Sequence, residues 1–455
     1  MNRRQFAKFR NALVSTDPLT FAEYLRGRFT DDKNKANFAE LARFVCGESK
    51  TLPLNLDVDE RDAPFIDLMV SISMEESSRT KPAPRSIVEI GPDLDFLADI
   101  CFARDFSPLQ LAAFAMHSRR NPTKRVAIVI SVRDEGIYVL EWLAYHRILG
   151  AEQVFMYTND NCDGSDQLLQ ELASKGLITL IRNSCVEGAN FQRKAYQHAI
   201  LLLNELRDFR WVFFLDCDEF LNFHPNFEGA LPAFVCKMER EMQNNLPGAA
   251  IFPWSWRLTD RPFQRDDISL LGHYQHACLH RLFKPLVNLQ STLSMCEIHV
   301  PTFEGNGFLV DGEMRRIGRN AVWEGVKMPY SGPRIEHFWS KSFIEFLIKK
   351  KRGEKLDCCG LQRDLSQFFT WSEVPSAANY APVSSEWVSK VEEEMQEILS
   401  SPAIAEAYSV AVESYRNYVA RTSTDPLIRQ TYDDLLSTST PSLGDMLLTS
   451  TTTAS

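Results

Sequence analysis

The sequence predicts an open α/β domain with a mainly parallel sheet, and three observations support that prediction. Short runs rich in Val, Ile and Phe recur from Lys124 onward, and segments with helical periodicity separate them. Such alternation gives right-handed βαβ units, whose sheet is parallel and covered on both faces. Polar residues follow each run, where open sheets of this kind bind ligands. The predicted strands are KRVAIVISV, QVFMYTN, LITLIRN and WVFFLD.

Three helices are predicted between these strands. GIYVLEWLAYHRILG has apolar residues at spacings of three and four, and it ends at Gly150, where a helix terminus favours a left-handed residue. SDQLLQELASKG ends in the same way at Gly176. A third helix is expected from about Phe191 to Leu206.

The segments after the fourth strand are less regular. AAIFPWSWRL, HYQHACLHRLFKP and EIHVPTF are expected to lie in loops that form the wall of a cleft over the sheet. Ser342 and Glu345 then have the spacing of a capping box and open a helix, SFIEFLIKKKRG. We explain its KKKR run by the helix macrodipole and solvation rather than by a phosphate contact. Two more helices are expected between residue 384 and about residue 420.

We divide the chain into four parts on this basis. Residues 1–120 form a mostly helical accessory region, and residues 121–360 form the α/β domain. Residues 361–435 form a helical C-terminal region, and residues 436–455 are a Ser/Thr-rich tail that we expect to be disordered.

Length and composition fit a sizeable enzyme and disfavour several classes of function. The 455 residues carry a formal net charge of -10, and long-range phosphate recognition requires positive potential, so nucleic acid is not an expected partner. The 10 cysteines form no CxxC pair, which argues against a zinc ribbon and a secreted disulfide framework. No apolar run reaches the ~20 residues of a membrane span, so we expect a soluble, cytoplasmic protein and leave a peripheral membrane contact open.

Two aspartates directly follow the fourth predicted strand, in WVFFLDCDEFL. If the chain stays extended, the carboxylates of Asp216 and Asp218 point to the same side. Converging hard anions suit Mg²⁺ or Mn²⁺ next to a diphosphate. A DxD tripeptide alone is more often a solvated loop, but the buried strand before it favours a ligand site. If the strand geometry continues, Glu219 points away from the pair, and we expect it to support the pair or the fold rather than to bind the ligand.

Three motifs follow one another between about residues 124 and 355 and together resemble a known family. The motifs are EWL..H..LG within VRDEGIYVLEWLAYHRILGAEQVFMYTNDNCDGSDQLL, D.DEF within WVFFLDCDEFL, and H...KS..EF..K..RG within IEHFWSKSFIEFLIKKKRG. They resemble glycosyltransferases of the GT-A type, in particular a family-2-like bacterial group related to glycosyltransferase family 92. The resemblance implies a GT-A fold, which is a Rossmann-like nucleotide-sugar-binding domain with a mainly parallel sheet.

The resemblance also implies substrates and site residues. The donor is a nucleotide sugar, with a UDP-sugar favoured, and the acceptor is a hydroxyl group of a glycan or another molecule. Mn²⁺ or Mg²⁺ bridges the donor diphosphate and is held by Asp216, Asp218 and His337. Transfer inverts the anomeric centre. The implied donor-binding residues are Ser131, Arg133, Glu135, Asn159, Asp163, Gln192, Lys194 and Asp216.

An inverting transfer needs a general base to take the proton of the acceptor hydroxyl, and a carboxylate suits that task. Acidic residues after the DxD motif are the candidates, and we favour Asp311 for its distance beyond Asp218 along the chain. The candidates are Asp266, Asp267, Glu297, Glu304, Asp311 and Glu313.

Two rival functions remain open. A non-catalytic GT-A-like module would bind a nucleotide sugar or glycan without turnover, although such a module has no need for paired, repelling carboxylates. The segment SIVEIGPDLDF resembles the strand and turn of S-adenosylmethionine methyltransferases, but Asp93 and Asp95 replace the usual glycines there. Trp254, Trp256 and Trp323 are candidates for stacking on a sugar, although large aromatic side chains more often lie in a core.

Overall fold

The structure is a computed structural model that describes residues 86–102, 122–186, 188–243, 245–258, 262–265, 268–297, 299–303, 308–318, 332–339, 341–351, 368, 379–380 and 382–438. These residues form a mixed α/β fold around one large sheet. Most of the predicted accessory region 1–120 and of the tail 436–455 lies outside the described residues, so these two assignments stay predictions.

Four parallel strands form the first half of the sheet and confirm the predicted strands. They are β2 (Lys124–Val132), β3 (Gln153–Thr158), β4 (Thr179–Asn183) and β5 (Phe209–Leu215), in the spatial order β4-β3-β2-β5. The strand β1 (Ile87–Ile90) is parallel to β4 and extends the sheet, so the sheet recruits residues from before the predicted domain start at residue 121.

The predicted crossover helices connect these strands. They are α1 (Gly136–Ile148), α2 (Ser165–Ser174) and α3 (Phe191–Leu202). The last of them ends four residues before Leu206, because Leu203 has extended backbone angles and a 3₁₀ turn follows at Asn204–Asp208. Side chains of α1 are almost completely buried against the sheet.

Strands, rather than the predicted loops, form the second half of the sheet. The segments AAIFPWSWRL and HACLHRLFKP lie in β7 (Ala249–Leu258) and β8 (His276–Asn288), an antiparallel pair that β8 joins to β5. Each run contains a proline, which weakens a strand prediction, and the pairing shifts register between Pro253 and Ser255. The loop prediction for these segments was therefore wrong.

Shorter strands complete the fold. They are β6 (Glu219–Asn222), β9 (Thr292–Glu297), β10 (Val300–Phe303), β11 (Leu309–Asp311), β12 (Arg316–Ile317), β13 (Arg334–His337) and β14 (Asn379–Tyr380). β13 lies between β6 and β7, antiparallel to β6 and parallel to β7, and it brings residues 334–337 beside the end of β5. β9 and β10 pair with each other, so the EIHVPTF segment also contributes strand structure.

The later helices share the core of the α/β fold. Buried side chains of Trp387, Val391 and Ile404 belong to the same apolar cluster as those of α1 and α2. None of the helices in the described part of the chain is both long enough and apolar enough to cross a membrane. The later helices are α4 (Ala230–Glu241), α5 (Phe343–Lys351), α6 (Ser385–Leu399), α7 (Pro402–Ser423) and α8 (Pro426–Thr438).

Candidate functional site

The DxD motif lies in a tight turn between β5 and β6. The backbone amide of Glu219 donates to the carbonyl oxygen of Asp216 at 3.1 Å, so the chain turns here instead of staying extended. The two aspartates consequently have different partners. The chain is therefore not extended here, which was the condition for both carboxylates to lie on one side, although the charge of Asp218 still opposes the ionisation of Asp216.

Asp218 is buried at the centre of a cluster of basic side chains. Its carboxylate is 3.5 Å from Nε2 of His337 and 3.3 Å from Nζ of Lys341, and it also accepts a hydrogen bond from Lys349. Burial alone would raise the pKa of Asp218, but the attraction of Lys349 and Lys341 outweighs it and holds the pKa well below its ordinary value. Asp218 is therefore ionised at neutral pH and holds two lysines beside the end of β5.

Asp216 belongs to a second charged group. Its carboxylate accepts hydrogen bonds from Nε2 of Gln192 at 2.5 Å and from Nζ of Lys284 at 2.9 Å. The Lys284 side chain is completely buried and lies 3.5 Å from Glu219, whose carboxylate accepts a hydrogen bond from the backbone amide of Asp216 at 2.8 Å. Glu219 thus holds the turn from inside, in agreement with the structural role expected for it.

The EWL..H motif fixes the backbone that follows the two aspartates. Trp142 donates from Nε1 to the carbonyl oxygen of Glu219 at 2.8 Å, and Tyr145 donates from its hydroxyl to the carbonyl oxygen of Leu221 at 2.8 Å. His146 donates from Nδ1 to the carbonyl oxygen of Trp142, and its Nε2 accepts from the amide of Leu221. Burial lowers the pKa of His146 to about 3, so the ring stays neutral. The motif therefore positions the DxD turn.

The predicted capping box positions the third motif. The Ser342 hydroxyl donates to the Glu345 carboxylate at 2.6 Å, and the amide of Glu345 donates back to that hydroxyl at 3.3 Å. Glu345 is also paired with the buried guanidinium of Arg265 at 2.6 Å. These contacts fix the start of α5, so that Lys349, two turns along the helix, reaches Asp218.

The loops after β2 and β3 are bound to each other at the same edge of the sheet. The Asp163 carboxylate accepts hydrogen bonds from the amide of Gly136 at 2.9 Å and from the amide of Ser165 at 3.0 Å. The Asp134 carboxylate accepts from the amide of Cys162 at 2.5 Å. Asp134 also has a positive φ of 50°, a conformation that Asp tolerates better than most residues. The resemblance places its donor contacts on these two loops.

Several of the predicted donor-binding residues lie at the strand ends or beside Asp216, whereas Lys194 has other contacts. Ser131, Glu135 and Asn159 are buried at the strand ends, and the Oδ1 atom of Asn159 has no hydrogen-bond partner among the described residues. Gln192 contacts Asp216 directly. Lys194, in contrast, donates to the carbonyl oxygens of Gly91 and Ser184 and to Asp95 at 2.7, 2.7 and 2.8 Å. These contacts hold the segment after β1, and they give no support to a donor contact for Lys194.

The favoured general base lies far from this edge of the sheet. Asp311 pairs with Ile251 of β7, and His337 pairs with Trp256 of the same strand. At about 3.3 Å per residue, these registers are about 16 Å apart. Asp311 instead accepts hydrogen bonds from the backbone and guanidinium of Arg315. We therefore remove it from the candidate site, because proton transfer needs hydrogen-bond reach.

The other base candidates give no replacement. Glu313 is paired with Arg315 at 3.0 Å, beside Asp311. Asp266, Asp267, Glu304 and the side chain of Glu297 lie outside the described residues.

Aromatic side chains pack around the basic cluster. The Trp254 ring lies 4.3 Å from that of His337, and the Trp256 ring stacks on His280 with centroids 4.4 Å apart. Trp254 and Trp256 are 7% and 4% exposed, so they line the core as the more common alternative predicted. Trp323 lies outside the described residues.

A cavity of about 490 Å³ opens beside the lysines, within the size range of small-molecule sites. The two strand-end loops line it with Asp134 and Asp163, and Lys341, just before α5, and Lys349, in the second turn of α5, line it as well. Residues of α7 complete the lining.

Sequence reasoning missed the three lysines of this site. Lys341 and Lys349 stand in the quoted H...KS..EF..K motif, so a signal for both was present, although the KKKR run was assigned to the macrodipole. Lys284 carried no such signal, because its role depends on how β8 pairs with β5.

The fold and the site together define a class: an α/β protein in which acidic and basic side chains meet beside a cavity at the carboxyl ends of the parallel strands, where open sheets of this kind bind ligands. Residues 133–327 match the model of glycosyltransferase family 92. The chain is therefore related to glycosyltransferase family 92 over this segment, which includes the DxD turn.

Curated proteins of two plants show the same likeness over shorter segments. The chain is 28% identical over 120 residues to a glycosyltransferase family 92 protein of Oryza sativa subsp. japonica, which covers 26% of this chain and 20% of that protein. It is 29% identical over 97 residues to a glycosyltransferase family 92 protein of Ricinus communis, which covers 21% of this chain and 17% of that protein. The matched segments thus span about a fifth of the relatives' own length.

Proposed function

We propose that this protein is a glycosyltransferase with a GT-A fold, which transfers a sugar from a nucleotide-sugar donor to an acceptor hydroxyl with inversion. One observation carries the proposal: the acidic DxD turn, Lys341 and Lys349 meet beside a cavity at the carboxyl edge of the parallel strands. The turn lies inside the segment that is related to glycosyltransferase family 92.

The geometry suits stabilisation of a leaving diphosphate. Negative charge builds on the diphosphate as the sugar departs, and fixed cations lower the free energy of that transition state. Lys341 and Lys349 line the cavity, and Asp218 holds both ammonium groups in place. We propose that these two lysines face the diphosphate and that Asp218 orients them.

The predicted metal does not fit this arrangement of side chains. Asp218 and His337 lie together, and Nδ1 of His337 is buried without a hydrogen-bond partner among the described residues. Two ammonium groups nevertheless lie against Asp218, and a divalent cation there would be repelled by them. In the described part of the chain, no group of three or more His, Cys, Asp or Glu side chains is placed to hold an ion. Dependence on Mn²⁺ or Mg²⁺ stays a prediction.

Donor hydrolysis tests the proposed function. UDP- and GDP-sugars are incubated with the full chain, and release of the nucleoside diphosphate is measured with Mn²⁺, with Mg²⁺ and with EDTA. We expect release with at least one donor and a loss of at least tenfold in Asp218→Asn, because that variant no longer holds the lysines. Asp433→Asn, the same substitution at an exposed position of α8, is the matched control.

The results separate the rival functions. Equal rates in the wild type, Asp218→Asn and a blank without protein would contradict the enzymatic proposal. Donor binding without release under any condition would favour the non-catalytic binding module. The anomeric form of a transferred sugar, read by NMR, tests inversion.

A further inference from the structure

The helix α7 lies outside the segment that matches the family model, yet it closes the cavity beside Asp218. It spans Pro402–Ser423, whereas the match ends at residue 327. Nothing in the family likeness therefore assigns it a role. Its position beside the strand-end loops raises the question of which ligand group it meets.

One face of α7 is polar where it faces the cavity. Glu413, Ser414, Asn417 and Arg421 line the cavity and recur at spacings of one, three and four, which places them along one side of the helix. The neighbouring face buries Ile404, Ala407 and Ala411, the first two of them in the main core. Val410, Tyr415 and Tyr418 of the same helix also line the cavity, so its wall combines apolar surface with a few polar groups, as sites for small ligands do.

Two glycines of the strand-end loops allow α7 to approach. A Cβ atom at Gly136 would come within 2.9 Å of the Cβ atom of Ala411. A Cβ atom at Gly164 would come within 3.0 Å of Cγ1 of Val410, and the φ of Gly164 is +85°. The loops to which the resemblance assigns donor contacts thus have a shape that fits this helix. The fit argues that α7 belongs to the site rather than to a separate unit.

Three cationic side chains, Lys341, Lys349 and Arg421, line the cavity together with four acidic residues. Three of the four carboxylates have partners outside the cavity: Glu345 is paired with Arg265, and Asp134 and Asp163 accept hydrogen bonds from backbone amides. The fourth acidic residue, Glu413, lies two turns before Arg421 on α7. Arg421 is exposed, and its guanidinium lies 5.8 Å from the ring centre of Tyr418. A guanidinium matches the geometry of phosphate oxygens.

We propose that α7 forms a wall of the donor site and that Arg421 binds the donor phosphates together with Lys341 and Lys349. This inference rests on the proposed function, because it names a further contact for the same donor. It adds a phosphate-binding residue from a region outside the family match.

Binding of nucleoside diphosphates and of nucleosides tests the inference. Affinities of the full chain for UDP, GDP, uridine and guanosine are measured by calorimetry. Arg421→Gln is compared with Arg416→Gln, the same substitution on the same helix at an exposed position that does not line the cavity. We expect Arg421→Gln to weaken binding of the preferred nucleoside diphosphate about tenfold or more, because a charged hydrogen bond is lost. Binding of the corresponding nucleoside and the affinities of Arg416→Gln should stay within about twofold of the wild type.

The outcomes distinguish this inference from the proposed function. Wild-type affinity of Arg421→Gln for the nucleoside diphosphate would overturn the inference and leave the proposed function standing. Equal losses in Arg421→Gln and Arg416→Gln would also overturn it, since the effect would then be long-range charge. Absence of binding by the wild type to all four compounds would contradict the proposed nucleotide-sugar donor itself.

Discussion

The buried ammonium of Lys284 should be essential for the stability of the DxD turn. It lies 2.9 Å from Asp216 and 3.5 Å from Glu219, with the Lys284 side chain completely buried. Burial opposes its charge, but the two carboxylates outweigh this effect and raise the pKa of Lys284. Replacement by Met keeps most of the apolar stem of the side chain and removes the ammonium group with its charge and its hydrogen bond to Asp216.

The distances give the size of the expected loss. Coulomb's law with an effective dielectric constant of about 20 gives about 6 kcal/mol for unit charges 2.9 Å apart. Desolvation of the ammonium offsets part of this attraction, and removal of one partner from a buried ion pair costs about 3–5 kcal/mol. We therefore expect Lys284→Met to lower the free energy of unfolding by about 3–5 kcal/mol at pH 7.

Urea unfolding followed by tryptophan fluorescence measures this loss. Lys237→Met is the matched control, because Lys237 is 58% exposed and lies 4.0 Å from Glu241, so its loss should cost at most about 0.5 kcal/mol. The loss in Lys284→Met should shrink between pH 7 and pH 5, since the unpaired carboxylates then have raised pKa values and take up protons. Adding Glu219→Gln should recover part of it. Equal stability of Lys284→Met and Lys237→Met would refute the reasoning.

Three further predictions concern the contacts around the site. Trp142→Phe should lower the free energy of unfolding in urea by about 1–3 kcal/mol, because the buried carbonyl oxygen of Glu219 loses its indole donor. An unchanged urea midpoint would contradict the anchoring role of Trp142. Burial raises the pKa of Glu345, but the charge of Arg265 outweighs it and lowers the pKa to about 2. The contribution of Glu345 to the free energy of unfolding is therefore present above pH 4.5 and is lost as the pH falls toward 2. Urea unfolding from pH 7 to pH 3 should show a shallower pH dependence of this free energy in Glu345→Gln than in the wild type, and equal slopes would contradict the prediction. Gly164→Ala should cost about 1–3 kcal/mol in thermal or urea unfolding because φ is +85° there, and Val410→Ala in addition should recover only the part due to the contact with α7.

Local patterns in the sequence were sufficient for the first half of the sheet and for the helix caps. The runs that became β2 to β5 are continuous and apolar, and the Ser342–Glu345 capping box acts within one turn, so both could be predicted from neighbouring residues. β7 and β8 could not be predicted in this way, because each contains a proline and is stabilised by pairing with strands that are distant in the sequence.

Only the part of the site that depends on neighbouring residues in the sequence could be predicted. Asp216 and Asp218 were visible as charges after an apolar run, and the late motif pointed to His337. The ammonium groups that pair with them come from β8 and α5, and no local spacing specifies those contacts. Asp311 was chosen for its distance beyond Asp218 along the chain. The pairing of β11 with β7 places it about 16 Å from the register of His337 on the same strand, which no local pattern in the sequence indicates.

The cluster around Asp218 also has a consequence for how the protein folds. Lys349 is 131 positions from Asp218 in the chain, Lys341 is 123 positions away, and Trp142 is 77 positions from the backbone that it anchors. Closing such long loops is entropically unfavourable until the intervening elements have packed. The cluster around Asp218 should therefore form after the parallel strands during refolding and should come apart before these strands separate. This order predicts a partly unfolded state that has lost ligand binding but keeps its helical circular-dichroism signal.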